Sequence, residues 1–304
     1  MTRRGWLLFI AISIFWGIPY FFIKIAVLEI DPAFVVFARV GIASLVLLPL
    51  AIHRGVLGPL RQRWPILLLL TCMQIVAPFL LISYGEQHIA SSLTSLIIAA
   101  EPLLVALLAL IFDASERVGG LRLVGLLIGL LGVALLLGFN ATGDEQRLLG
   151  IIFVLLATTC YAASALLMKR PGIASLPGLG VVTFECVGAT ILTLPLATTH
   201  LPAHMPSPGV LASLLILGLI CTALAYLTLF ALISEVGASR GTVFTYINPV
   251  VSVILGTALL SEQINAATIA GFLLIILGAW LSTGGDPTRL SKRLRPLRNP
   301  PSSP

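Results

Sequence analysis

Trp16-Gly17, followed by Lys24 and Pro32, is answered 145 positions later by Tyr161-Ala162, Lys169 and Pro177. Glu101-Pro102 recurs 147 positions on as Asn248-Pro249. Glu116, Gly125 and Gly132 recur 146 positions on as Glu262, Gly271 and Gly278. The second half of the chain therefore repeats the first. Each copy holds five apolar runs of roughly the twenty residues needed to cross ~30 Å of hydrocarbon. An odd number of crossings makes the second copy enter the membrane from the other side.

These runs predict spans at Trp6–Leu28, Ala33–Ala51, Pro65–Tyr84, Ile89–Phe112, Leu121–Phe139, Leu148–Met168, Leu179–Thr198, Val210–Ile233, Ala238–Leu260 and Ala266–Thr283. All should be helical, because a lone segment in lipid must bond its own backbone. The expected fold is all-α and integral to the membrane: ten transmembrane helices as two inverted five-helix repeats around a central cavity. Residues 1–139 form the first repeat and 140–283 the second. The segment 284–304 is a Pro-rich basic tail with the composition of a disordered cytoplasmic extension. Inverted halves related by an in-plane pseudo-twofold place a ligand site near the bilayer midplane.

Composition agrees. The chain of 304 residues is 58% hydrophobic and 10% charged, with a mean hydropathy of +1.08. Soluble domains carry about 25% charged residues. The net charge of +6 does not point to nucleic acid, because the charges sit in short loops and the tail. With the N-terminus in the cytoplasm, fifteen Lys/Arg fall on the cytoplasmic side and only Arg147 on the other. That asymmetry is the positive-inside pattern of a bacterial inner membrane, with both termini inside. The apolar run after Arg3-Arg4 continues too far, without an Ala-x-Ala site, to read as a cleaved signal peptide. Cys72, Cys160, Cys186 and Cys221 lie in apolar runs without Cys-x-x-Cys spacing, so no disulfide framework or zinc site is expected. His200-x-x-x-His204 has helical metal spacing, but Pro202 interrupts it. No phosphate-binding Gly-rich loop and no nucleophile elbow is present, and the four histidines lie in loops or at span edges. The sequence predicts no enzyme, no metal and no cofactor.

The polar residues at mid-depth carry the functional reading. Trp16 lies ten residues into span 1, on the order of 15 Å deep. Trp6, Trp64 and Trp280 sit instead at span ends, as interfacial Trp does. Trp16 and its mate Tyr161 are either core packing or two walls of a stacking slot. Glu101-Pro102 and Asn248-Pro249 sit near the centres of spans 4 and 9, where proline breaks the helical ladder. A carboxylate there costs about 2.5–3.5 kcal/mol on insertion scales, so Glu101 needs a partner, a cavity or a proton. It is either a proton or ammonium site or a buried structural acid. The candidate cavity residues are Trp16, Tyr20, Gln74, Tyr84, Thr94, Ser95, Glu101, Thr159, Tyr161, Ser164, Thr222, Tyr226, Thr245, Tyr246 and Asn248, with Pro102 and Pro249 as helix breaks. Thr242 belongs to the same polar group. They make spans 1, 3, 4, 6, 8 and 9 wetter than spans 5 and 10. Gly125, Gly129, Gly132, Gly271 and Gly278 give spans 5 and 10 small-residue faces for packing within a monomer or across a homodimer. Glu116 and Glu262 suit the N-termini of the helices that follow them. Arg39 is expected to snorkel outward, and Lys169 to pair with Glu185.

Glu101-Pro-Leu-Leu…Ser115-Glu116…Gly125…Gly132-Val133, repeated as Asn248-Pro-Val-Val…Ser261-Glu262…Gly271…Gly278-Ala279, resembles the drug/metabolite transporter superfamily, in particular its ten-helix EamA-type members. So does Phe15-Trp16-Gly17…Lys24. The resemblance covers residues 6–283. It implies a basket of helices working by alternating access. It also implies export of small amphipathic metabolites, with aromatic or other hydrophobic amino acids as the specific expectation. A multidrug or nucleoside-type exporter is the alternative, and a lipid-modifying intramembrane enzyme the remote one. The first copy departs from the family pattern at Ile111–Glu116, where leucine-glycine usually precedes the glutamate.

The charge bias yields a topology test. A reporter fused after Thr283 is expected in the cytoplasm, and one in the His200–Pro208 loop outside it. Both reporters on one side would rule out ten inverted spans.

Overall fold

The computed structural model describes residues 2–112, 120–138, 145–237 and 245–282. Glu116, Thr242, the span ends Phe139 and Thr283, and the tail 284–304 lie outside the described residues. Eight helices are long and apolar enough to cross a membrane: Arg3–Val27, Pro32–His53, Gly58–His88, Ser91–Ile111, Leu121–Gly138, Glu145–Met168, Gly178–Thr199 and Pro208–Val236. Two shorter apolar helices, Asn248–Leu259 and Ala266–Ser282, complete the set, numbered here as spans 1 to 10. The described residues contain no strand.

The packing list has an internal symmetry. Span 2 packs on span 7, span 5 on span 10, and span 4 on span 9. Span 3 packs on span 6, and span 8 on span 1. Span 4 also meets span 6, and span 9 meets span 1. Adding five to each span number, modulo ten, turns this list into itself, as a twofold relation between two five-helix sets requires. Spans 2, 3 and 7 share one apolar cluster that includes Val36, Val40, Leu47, Ile75 and Val182.

Several spans are not continuous α-helices. Span 1 breaks at Ile18 and restarts at Pro19, where the sequence predicts one unbroken helix. Proline lacks an N–H and so fits a first turn, where that donor has no helical partner. Span 4 breaks between Ile98 and Glu101. The described part of span 9 is α-helical from Asn248, with Pro249 in its first turn. Spans 3 and 8 each carry a π-helical stretch, Thr71–Val76 and Ile216–Leu224, at equivalent places in the two halves. Span 3 also runs on to His88, past the predicted end at Tyr84. That extension brings Glu86 into the helix.

Spans 5 and 10 touch along their backbones. A Cβ on Gly125 would stand 2.5 Å from Leu281 Cβ and 2.6 Å from Ser282 N. One on Gly132 would stand 2.7 Å from the Gly271 carbonyl oxygen, and one on Gly278 would run into the backbone of Gly129. The two glycine faces are therefore occupied by each other.

On the face opposite the N-terminus, two carboxylates each cap a helix of the other half. Glu262 Oε1 accepts from the N–H and hydroxyl of Ser91 at 2.8 and 2.9 Å, and Oε2 accepts from Ser92 N–H at 3.0 Å. Glu29 accepts from the N–H and hydroxyl of Ser207, ahead of span 8, at 2.5 and 2.6 Å. Glu262 was expected to serve the helix that follows it. It serves span 4 instead, because the chain leaves span 9 beside Ser91. The two Ser207 bonds hold the Glu29 carboxyl below the usual carboxylate range. With a lowered pKa, this cap is present above the usual range and is lost as pH falls through the lowered value. On the terminal face, Thr2 donates to Glu235 at 2.6 Å and Arg4 approaches it at 3.8 Å.

Gly278→Ala is expected to cost about 1–3 kcal/mol through overpacking, read as a lower melting temperature in detergent. Gly138→Ala, where a Cβ meets nothing within 4 Å, is the control and should not melt lower. Glu262→Ala is expected to cost about 1–2 kcal/mol, the scale of a lost helix cap. Unchanged melting of Glu262→Ala would show that the cap contributes nothing.

Candidate functional site

The breaks and π-helical turns converge on one cavity of about 290 Å³. Spans 1, 3, 4, 6, 8 and 9 line it, with one residue from span 2, and spans 5 and 10 take no part. Trp16, Tyr20, Gln74, Ser95, Glu101, Tyr161, Tyr226, Thr245 and Asn248 are in its wall, together with Pro102 and Pro249. The ring of Trp16 meets Tyr226 edge-on, centroids 5.4 Å apart at 82°. Tyr161, the repeat mate of Trp16, lines the same cavity from span 6.

The remaining candidates lie elsewhere, and each position has a local reason. Ser164 is buried behind the wall, and its hydroxyl reaches Gln74 Oε1. Gln74 and Tyr226 both line the cavity. Thr222 is buried and supports Arg39. Thr94 and Thr159 bond back to the carbonyls of Ala90 and Leu155, as hydroxyls in apolar helices commonly do. Thr159 is exposed on the outside of the bundle. The Tyr84 hydroxyl points to Asp31 at 3.4 Å. Tyr246 packs on the cluster around Leu96 and Leu103.

Two expectations about charge are corrected. Arg39 does not snorkel outward. It is 6% exposed and lines the cavity. Its Nε donates to Thr222 Oγ1 at 2.9 Å, and its guanidinium carbon lies 3.9 Å from the centroid of the Phe79 ring. The π-helical turn makes this possible. Thr222 bonds five residues back to the Leu217 carbonyl at 2.8 Å, leaving its oxygen turned toward span 2. Gly218 brings the two helices together, since a Cβ there would stand 2.6 Å from Ile42 Cβ. A cation–π contact of about 0.5–2 kcal/mol and a charged hydrogen bond of about 1.5–3 kcal/mol are of the size needed to offset an arginine's insertion cost of about 2.5–3.5 kcal/mol. Lys169 does not pair with Glu185 either. Lys169 is exposed, whereas Glu185 is 2% exposed with Oε1 unbonded.

Glu86 joins Glu101 and Glu185 as an acid at depth. Glu86 is fully buried, with neither carboxylate oxygen hydrogen-bonded. Lys24 donates to the carbonyls of Glu86 and Ile89 at 2.5 and 3.0 Å, closing the end of span 3. Neither Glu86 nor Glu185 lines the cavity. Among the described lining residues only Arg39 and Glu101 are of a charged type. The helices restarting at Pro19, Glu101 and Asn248 also present their N-termini to the cavity, and the helix dipole makes those ends positive. The site combines aromatic walls, amide and hydroxyl groups, one cation and one acid. That set suits a small molecule with an apolar body and a polar end.

Comparison with known proteins fits this geometry. A crystal structure with 20% sequence identity superposes at a TM-score of 0.66, covering 93% of this chain and 98% of the other, so the fold is shared. An uncharacterized transporter of Archaeoglobus fulgidus is 27% identical over 91% of this chain and 98% of its own. The uncharacterized inner membrane transporter YedA of Escherichia coli is 26% identical over 90% and 89%. A probable terminal-alkyne amino-acid exporter of Streptantibioticus cattleyicolor is 23% identical over 92% and 93%. The EamA-like transporter family matches twice, over residues 3–138 and 148–284, and the chain belongs to that family.

Proposed function

We propose that this transporter exports small amphipathic metabolites, with aromatic or other hydrophobic amino acids as its substrates. The observation that carries the reading is the cavity itself. At about 290 Å³ it lies at the small end of the roughly 300–1,000 Å³ typical of ligand pockets. Trp16, Tyr20, Tyr161 and Tyr226 offer apolar surface, while Arg39, Glu101 and Asn248 offer polar contacts. The Streptantibioticus relative, named as a probable amino-acid exporter, supports the same class.

The two halves, residues 1–139 and 140–283, rock against each other about the cavity. The broken helices at Ile18, Ala99–Ala100 and Ile247 supply the flexible points. The protein sits in the cytoplasmic membrane with both termini inside, a placement supported by the charge bias of its loops and by the inner-membrane name of its Escherichia coli relative. One chain suffices for transport, the glycine faces of spans 5 and 10 being used within it.

Flux across liposomes holding the purified protein tests this reading, with amino acids, nucleosides and cationic drugs compared with and without a pH gradient. Flux of aromatic and hydrophobic amino acids is expected. Flux of nucleosides or drugs alone would replace the amino-acid reading with the multidrug or nucleoside one. Trp16→Ala is expected to lower aromatic flux at least severalfold while the protein still inserts and melts near the wild-type temperature. A folded Trp16→Ala with unchanged flux would return Trp16 to ordinary packing.

A further inference from the structure

We infer that Arg39 is the residue that binds the substrate's carboxylate, and that the transporter therefore selects molecules carrying a single carboxylate beside an apolar body. This deepens the reading above and rests on its cavity, but its warrant is separate. Arg39 is 6% exposed and lines the cavity from span 2. Of the five N–H donors of a guanidinium, only the one on Nε is used among the described residues, toward Thr222. No carboxylate among the described residues pairs with it. Glu86, Glu101 and Glu185 are all buried or half-buried in the same bundle, yet none reaches it. The face of the guanidinium is fixed on the Phe79 ring, so its terminal nitrogens keep one orientation. A planar fork held this way matches the two oxygens of a carboxylate.

The surroundings favour a monoanion. The helix N-termini at Pro19 and Asn248 add partial positive charge to the same space. Glu101, the only carboxylate among the described lining residues, disfavours a phosphate dianion and is placed to accept an ammonium on the same ligand. One cation and one acid on an aromatic-walled cavity match a zwitterion with an apolar side chain better than an amine or an acid alone.

The test is binding to the purified full-length protein in lipid nanodiscs. The ligands are L-phenylalanine, L-phenylalaninamide, which lacks the carboxylate, and hydrocinnamate, which lacks the ammonium. In the wild type, phenylalanine is expected to bind at least tenfold more tightly than its amide, the scale of a charge-assisted hydrogen bond. Arg39→Gln should reduce that ratio to within about twofold. A ratio that stays tenfold in Arg39→Gln overturns the proposal. Should Arg39→Gln fail to fold, Arg39→Lys decides. It is expected to weaken phenylalanine about tenfold and leave the amide unchanged, and an equal loss for both ligands overturns the proposal. Arg39-dependent binding of hydrocinnamate without binding of phenylalanine would support Arg39 and remove the amino-acid reading. Phenylalanine binding indifferent to Arg39 would do the reverse.

Discussion

Backbone N–H and C=O groups in hydrocarbon have no water to bond, and everything distinctive in this bundle follows from that constraint. Wherever a span faces lipid it must be an unbroken helix. A ladder can be interrupted only where the freed groups turn toward protein or a cavity. The interruptions at Ile18, Ala99–Ala100 and Ile247, and the π-helical turns of spans 3 and 8, all occur in spans that line the central space. Spans 5 and 10, which do not line it, are continuous across their described residues and packed backbone to backbone. The cavity and the irregular backbone are one feature seen from two sides.

Much of this was legible in the sequence, because the constraint leaves local marks. Proline in the middle of an apolar run, as in Glu101-Pro102 and Asn248-Pro249, announces a break. An aromatic far from either interface, such as Trp16, announces something other than a belt. Glycines at helical spacing announced the contact between spans 5 and 10. Other features left no local mark. Arg39 could equally have reached an interface, because what turns it inward is the bond to Thr222, 183 residues away. The π-helical turn that aims Thr222 has no sequence signature of its own. Glu86 left no mark of depth because the apolar run stops at Tyr84, although the helix goes on to His88. Ser164 and Thr222 were placed at the cavity by their depth. Depth says nothing about rotation around a helix, and both proved to stand one layer behind the wall, supporting Gln74 and Arg39.

The buried charges divide by surroundings. Lys24 is spent on two carbonyls at the end of span 3. Arg39 and Glu101 face space large enough for a ligand, whereas Glu86 and Glu185 face packed protein. Insertion of a charge costs a few kcal/mol wherever it is placed in the span centre. A ligand can offset that cost only at the first two. The two side chains of charged type that face the cavity therefore come from spans 2 and 4 of the same half.

The reciprocal capping by Glu29 and Glu262 has an energetic consequence. Each carboxylate belongs to one half and each capped helix to the other, so separating the halves at that face breaks both caps together. The capping groups themselves are ions, hydroxyls and amides, which water solvates almost as well as they solvate each other, whereas Ile30 and Leu214 beside them are buried in an apolar cluster. The net worth of each cap is about 1–2 kcal/mol, far less than the gross strength of its bonds. The two caps together therefore oppose separation by only a few kcal/mol, the range in which differential binding of a ligand can shift a population between two states. A seam of interlocked leucines of equal area would expose apolar surface to water on opening and would hold one state too firmly. Caps of this kind can be broken and remade with water taking the place of the lost partner, without that exposure.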